Sequence, residues 1–97
     1  LMRFKVLTYN NSSITNSSKI QSILEKEKLY WLIESEIENA QIEIKNSTLI
    51  WHDGYFFVDW HYGIFKNGDF HGTFRNGILE GGNFKGKFIS GINLMEV

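Results

Sequence analysis

The sequence predicts an α+β chain in which an N-terminal strand–helix–strand unit leads into a repetitive β-meander of very short strands. Three observations predict it. All nine glycines fall between Gly54 and Gly91. Within that stretch a large apolar residue recurs every four or five positions, and a glycine stands two residues before seven of them: Phe56, Phe65, Phe70, Phe74, Leu79, Phe84 and Phe88. Upstream, two segments of period-two alternation bracket one segment of helical periodicity.

Taken in order, Phe4, Val6 and Thr8 alternate with Lys5, Leu7 and Tyr9, which suits a strand. Asn10 to Ser18 is a run of small polar residues and reads as a loop. Ser18 and Gln21 have capping-box spacing, so a helix is expected to start there. Ile20, Ile23, Leu24 and Trp31 share one stripe of that helix, with Leu29, Leu32 and Ile33 widening it. From Ala40 the period becomes two: Ala40, Ile42 and Ile44 alternate with Gln41, Glu43 and Lys45. Asn46 and Ser47 then make a turn into Thr48 to Trp51.

Glycine every four or five residues rules out a helix, at about 1 kcal/mol per glycine. The centres Asn67-Gly68 and Asn76-Gly77 match the favoured two-residue hairpin pair, and Gly81-Gly82 repeats the arrangement. Units of nine or ten residues with such turns place Phe65 opposite Phe70, Phe74 opposite Leu79 and Leu79 opposite Phe84. Gly68, Gly72, Gly77, Gly82 and Gly86 are then the structural turn residues. The alternative is a right-handed β-solenoid of the pentapeptide-repeat kind. That fold asks for a steady step of five, whereas the steps from Trp51 run 5, 4, 5, 5, 4, 5, 5, 4. With no proline and no linker-like stretch, residues 1–97 form one domain, divided into a cap (1–47) and a glycine-aromatic array (48–97).

Tyr62-Gly63-Ile64-Phe65-Lys66-Asn67-Gly68, followed by His71-Gly72, resembles the core of a MORN repeat, a glycine-aromatic hairpin stacked into an elongated sheet. The Gly-x-Phe steps from Gly54 to Phe88 also resemble glycine-aromatic arrays in proteins of large tailed phages. These resemblances cover the second half of the chain. They imply a binding or scaffolding role without catalysis, and a phage origin.

Composition narrows the function further. Ten Lys and Arg balance eleven Asp and Glu, so nucleic acid is an unfavoured partner. No window reaches the ~18 apolar residues of a membrane span. The N-terminus does not read as a signal peptide, and a cytoplasmic location is expected, in an infected bacterial host or a virion. Asn-x-Ser/Thr triplets at Asn10, Asn11, Asn16 and Asn46 then read as loop chemistry. There is no cysteine for a disulfide or thiolate site.

His52, His61 and His71 each follow the leading aromatic of a repeat unit. In a meander they stand too far apart to share an ion, and only a coil of 18–20 residues would stack His52 over His71. No metal or cofactor is expected. The acidic residues Asp53, Asp59, Asp69 and Glu80 fall on repeated turns, which offer no pocket for an acid–base pair. No enzyme is expected. Lys66, Arg75 and Lys85 each follow the second aromatic of a unit and should line one edge, the basis of an alternative nucleic-acid or anionic-lipid reading. The aromatics Trp60, Tyr62, Phe65, Phe70, Phe74 and Phe84, with those three cations, are the candidate binding residues. A helix of some twenty residues cannot cover so long a ladder, so an uncovered aromatic face is expected to bind protein. The short, largely apolar tail from Asn93 to Val97 gives no polar cap, which favours self-association.

Overall fold

The computed structural model describes residues 2–95. Glu96 and Val97, part of the tail expected to leave an apolar end, lie outside them. In the first half, β1 (Phe4–Tyr9) and β2 (Ser12–Ile14) precede α1 (Ser17–Lys26), α2 (Tyr30–Ile33) and β3 (Glu36–Lys45). β1 runs parallel to β3, and β3 pairs antiparallel with β4 (Thr48–Trp60). Alternation sets the buried face of β3 as expected, with Ala40, Ile42 and Ile44 inward. These join Leu7, Leu49, Trp51 and Ile20 and Leu24 of α1 in one core, while a bulge between Phe4 and Val6 interrupts the alternation of β1. The Asn46-Ser47 turn is present, with both residues at positive φ, 51° and 63°.

Three details differ from the sequence expectation. Asn10 and Asn11 also form a tight turn, at φ 44° and 73°, so part of the polar run pairs with β1 as β2. The helix cap is Asn16 rather than Ser18: its side-chain oxygen accepts from the Lys19 backbone N–H at 3.0 Å. The single helix is broken at Lys28, which takes φ 61°, leaving two short helices. Replacing Asn16 with alanine should cost about 1 kcal/mol, read as a lowered thermal midpoint, because the Lys19 N–H loses its acceptor.

The second half continues as β5 (Ile64–Phe65), β6 (Asp69–Phe74), β7 (Ile78–Leu79), β8 (Asn83–Phe84), β9 (Lys87–Phe88) and β10 (Ile92–Asn93). Five of these strands are two residues long, as short as expected, whereas β6 runs six residues through Gly72, and none of the expected hairpins forms. Every pairing after β3–β4 is parallel. Ile50 pairs with Ile64, Ile64 with Ile78 and Ile78 with Ile92, so each neighbour lies 14 residues on. The same offset links Phe56 to Phe70, Phe70 to Phe84, Trp60 to Phe74 and Phe74 to Phe88. Steps of 5, 4 and 5 therefore close one coil. The array is a small β-solenoid of stacked parallel coils, in place of the expected meander. Phe65 faces Trp51 and Leu79, not Phe70.

The physical reason is burial. A meander would put the aromatics on one open sheet face. A closed coil turns them inward from three sides at once. They form three columns, Trp51–Phe65–Leu79, Phe56–Phe70–Phe84 and Trp60–Phe74–Phe88. Rings stack along each column, as in Phe56 on Phe70 at 5.3 Å and 21°, and Trp60 on Phe74 at 6.1 Å and 10°. Between columns they meet edge to face, as in Trp51–Phe56 at 84° and Trp60–Phe65 at 87°. Both geometries are favoured by the ring quadrupole and add about 0.5–1.5 kcal/mol per pair beyond area burial. The corner glycines Gly68, Gly72, Gly77 and Gly82 have positive φ, as turn residues should, whereas Gly86 does not.

Candidate functional site

Closure of the coil redistributes the candidate binding residues. Trp60, Phe65, Phe70 and Phe74 are fully buried and Phe84 is half-buried, so these rings are core and the expected aromatic face does not exist. Tyr62 remains exposed, at 42%. It stands beside Trp31 of α2 at 5.5 Å, and Trp31 also touches Trp60 and His61. α2 thus packs against the first coil.

The three cations do not line one edge. The backbone N–H of Lys66 bonds to Trp51, that of Arg75 to Trp60 and that of Lys85 to Phe70. Those carbonyls belong to three different columns, so the cations point from three different sides of the coil. Arg75 sits 3.4 Å from the carboxylate of Asp59. A duplex or membrane surface touches one side at a time, and meets one of these charges there. The meander placed them together because a nine-residue unit repeats the position after each second aromatic. The true repeat of 14 does not.

The histidines are dispersed in the same way. His52 shares a hydrogen bond with Glu43 across β3 and β4 at 2.8 Å, His61 lies against Trp31, and His71 packs on Tyr55 at 5.1 Å. The 14-residue offset sets His71 beside Phe57, not over His52. Among the described residues no group of three or more His, Cys, Asp or Glu side chains is placed to hold a metal ion. No helix among them is long and apolar enough to cross a membrane.

Two hollows lie beside the N-terminal unit. One, of about 290 Å³, is lined by Met2, Arg3, Phe4, Thr15, Ser17 and Gln21. Its one charged group is already engaged, since the Arg3 guanidinium donates to the carbonyls of Ile33 and Ser35 at 2.8 and 2.7 Å. The other, of about 90 Å³, lies between Trp31, Glu34, Ser35, Val58, Asp59 and His61. It sits over the corner at Val58, the position that becomes Gly72 in the next coil. In the second hollow the Ser35 hydroxyl donates to the Trp31 carbonyl at 2.6 Å. The phenol of Tyr9 donates to the Glu27 carboxylate at 2.7 Å, and that bond, helped by burial, raises its pKa above the ordinary 10.0.

What remains is the outer surface of the array. Side chains alternate on each short strand, so the residues flanking a buried ring point outward. On the side built from β4, β5, β7 and β10, Ile50, Ile64, Ile78 and Ile92 form one outward column. His52, Lys66, Glu80 and Leu94 form the next. The sequence expectation overlooked the isoleucine column because it followed the conspicuous aromatics. Ile at intervals of 14 was the available signal. Comparison with known protein families, curated proteins and solved structures gives no match to this chain.

Proposed function

We propose that the chain is a non-enzymatic interaction or assembly module that binds protein, a second copy included, through the outer sides of its solenoid. The observation that carries this reading is the distribution of exposed apolar surface. Among the described residues, six of the eight large apolar residues that stand exposed lie at or after Phe57: Phe57, Val58, Tyr62, Ile89, Ile92 and Leu94. Two of them, Ile92 and Leu94, stand on one coil and continue the outward columns of β4, β5 and β7, and contiguous apolar surface of this kind on a small domain usually marks an interaction site. The resemblance to glycine-aromatic arrays implies the same class of role. A rigid, flat-sided ladder also loses little conformational freedom on docking, which lowers the cost of association.

Light-scattering molar mass over a dilution series is the test, paired with affinity capture of partners from a bacterial lysate. The chain has a mass of 11.3 kDa, and a species of at least twice that mass is expected at tens of micromolar. A monomer throughout, together with no saturable partner, would remove the reading.

A further inference from the structure

The side of the solenoid formed by β4, β5, β7 and β10 has a pattern that matches itself. Phe65 and Leu79 are fully buried, so Ile64 and Lys66 point out of one coil, and Ile78 and Glu80 out of the next. Ile50 and Ile92 extend the aliphatic column by one coil at either end. Coils stack at about 4.8 Å, so four isoleucines make a flat strip about 14 Å long. Beside it, Lys66 and Glu80 are neighbours of opposite charge. Among the described residues the ion pairs are His52–Glu43 and Arg75–Asp59, and neither includes Lys66 or Glu80. Ile50, Ile64 and Ile78 are half-buried and Ile92 is exposed at 54%, with Leu94 beside it at 58%.

We infer that this side is a two-fold interface between copies of the chain, in which the isoleucine strips pack face to face with the coil axes antiparallel. The inference rests on the proposed assembly role and names its surface and partner. Charge complementarity selects the arrangement. Place the two-fold axis along the strand direction, midway between the coil of Ile64 and the coil of Ile78. Each Ile64 then lies over the second copy's Ile78, and each Ile50 over an Ile92. Each Lys66 meets a Glu80 of the second copy, and each Glu80 a Lys66. An axis along the stack instead reverses the strand direction. It moves each lysine column off the opposing glutamates and leaves both charges unpaired. A two-fold contact uses the same patch on both copies, which is what a strip flanked by one cation and one anion provides. Sheets packed face to face lie about 10 Å apart, close enough for the strips to exclude water.

Charge reversal tests the pairing, because both positions are exposed and outside the core. Lys66→Glu places two anions opposite two anions, and Glu80→Lys places two cations opposite two cations. Each single variant should weaken self-association at least tenfold, measured by light scattering or sedimentation at low salt. The double variant Lys66→Glu/Glu80→Lys restores complementarity and should associate about as tightly as the unmodified chain. The two single variants, mixed, should pair with each other, since each carries the charges the other now lacks. Thermal melts of all three verify that folding is intact, and Ile78→Glu, on the strip itself, should abolish the dimer. Self-association that ignores both charge reversal and Ile78→Glu would overturn this interface while leaving an assembly role in place. A monomer at hundreds of micromolar would overturn it too. Lysate capture of another protein would then decide whether the broader reading survives.

Discussion

Replacing Gly68 with valine should be among the most damaging single changes in the chain, costing about 3 kcal/mol or more. Two effects combine. Gly68 has φ 124°, where a β-branched residue is strained. A Cβ there would also lie 2.3 Å from the Gly54 carbonyl oxygen of the preceding coil and 3.0 Å from Nε1 of Trp51. The first contact is with backbone that is itself paired into the ladder, so it cannot move alone. The indole of Trp51 is fully buried against Phe56, Trp60 and Phe65 and has nowhere to turn. Gly77 repeats the geometry two corners later, 2.4 Å from the Gly63 oxygen and 3.1 Å from Nε1 of Trp60. Gly77→Val should therefore behave alike. In a domain of this size such a loss lowers the thermal midpoint by more than about 10 °C. Calorimetry or circular-dichroism melts would measure it, and unchanged midpoints in both variants would mean that the coils do not stack as described.

Phe70→Ala should cost about 3–5 kcal/mol, the range for emptying a fully buried aromatic site. Phe70 is the crossing point of the core. It stacks on Phe56 and Phe84 within its column and meets Phe65 and Phe74 edge on. Removing the ring leaves a cavity walled by rigid rings on stacked strands, which have little freedom to collapse into it. The control is Phe84→Ala in the same column. Phe84 is only half-buried, so the same truncation should cost roughly half as much. A solenoid requires that gradient along the column. In a meander Phe70 and Phe84 would both lie on the one open sheet face, with no column to bury one more deeply than the other. Urea unfolding curves for the two variants separate these outcomes.

Val58 shows what kind of constraint the corner glycines satisfy. It has φ 125°, as its ladder partner Gly72 has φ 105°, yet it carries a branched side chain. A Cβ on Gly72 would meet the Val58 carbonyl oxygen at 2.2 Å. Val58 itself, on the first coil, borders the hollow of about 90 Å³ instead of another corner. Glycine is thus demanded at these corners chiefly by the backbone stacked over it. The sign of φ alone does not exclude a side chain there.

Much of this protein was legible as sequence because local chemistry decided it. The alternation in Phe4–Tyr9 and Ala40–Lys45 fixes two strands and, for the second, its buried face, and Asn46-Ser47 fixes the turn between β3 and β4. The Gly-x-aromatic steps fix a ladder of short strand segments, with one large apolar residue per step and glycine at the bends. Pairing was a different matter. Asn67-Gly68 suits a hairpin and a solenoid corner equally well, since both need a residue at positive φ. The choice falls on which strand lies beside which, 5 or 14 residues away, and no local preference of Phe65 or Phe70 distinguishes them. Only the closed coil decides it, by burying three columns of rings that an open meander would leave half in water. With that choice the outer surface was settled too. Lys66, Arg75 and Lys85 went to three separate sides, and Ile50, Ile64, Ile78 and Ile92 came together on one.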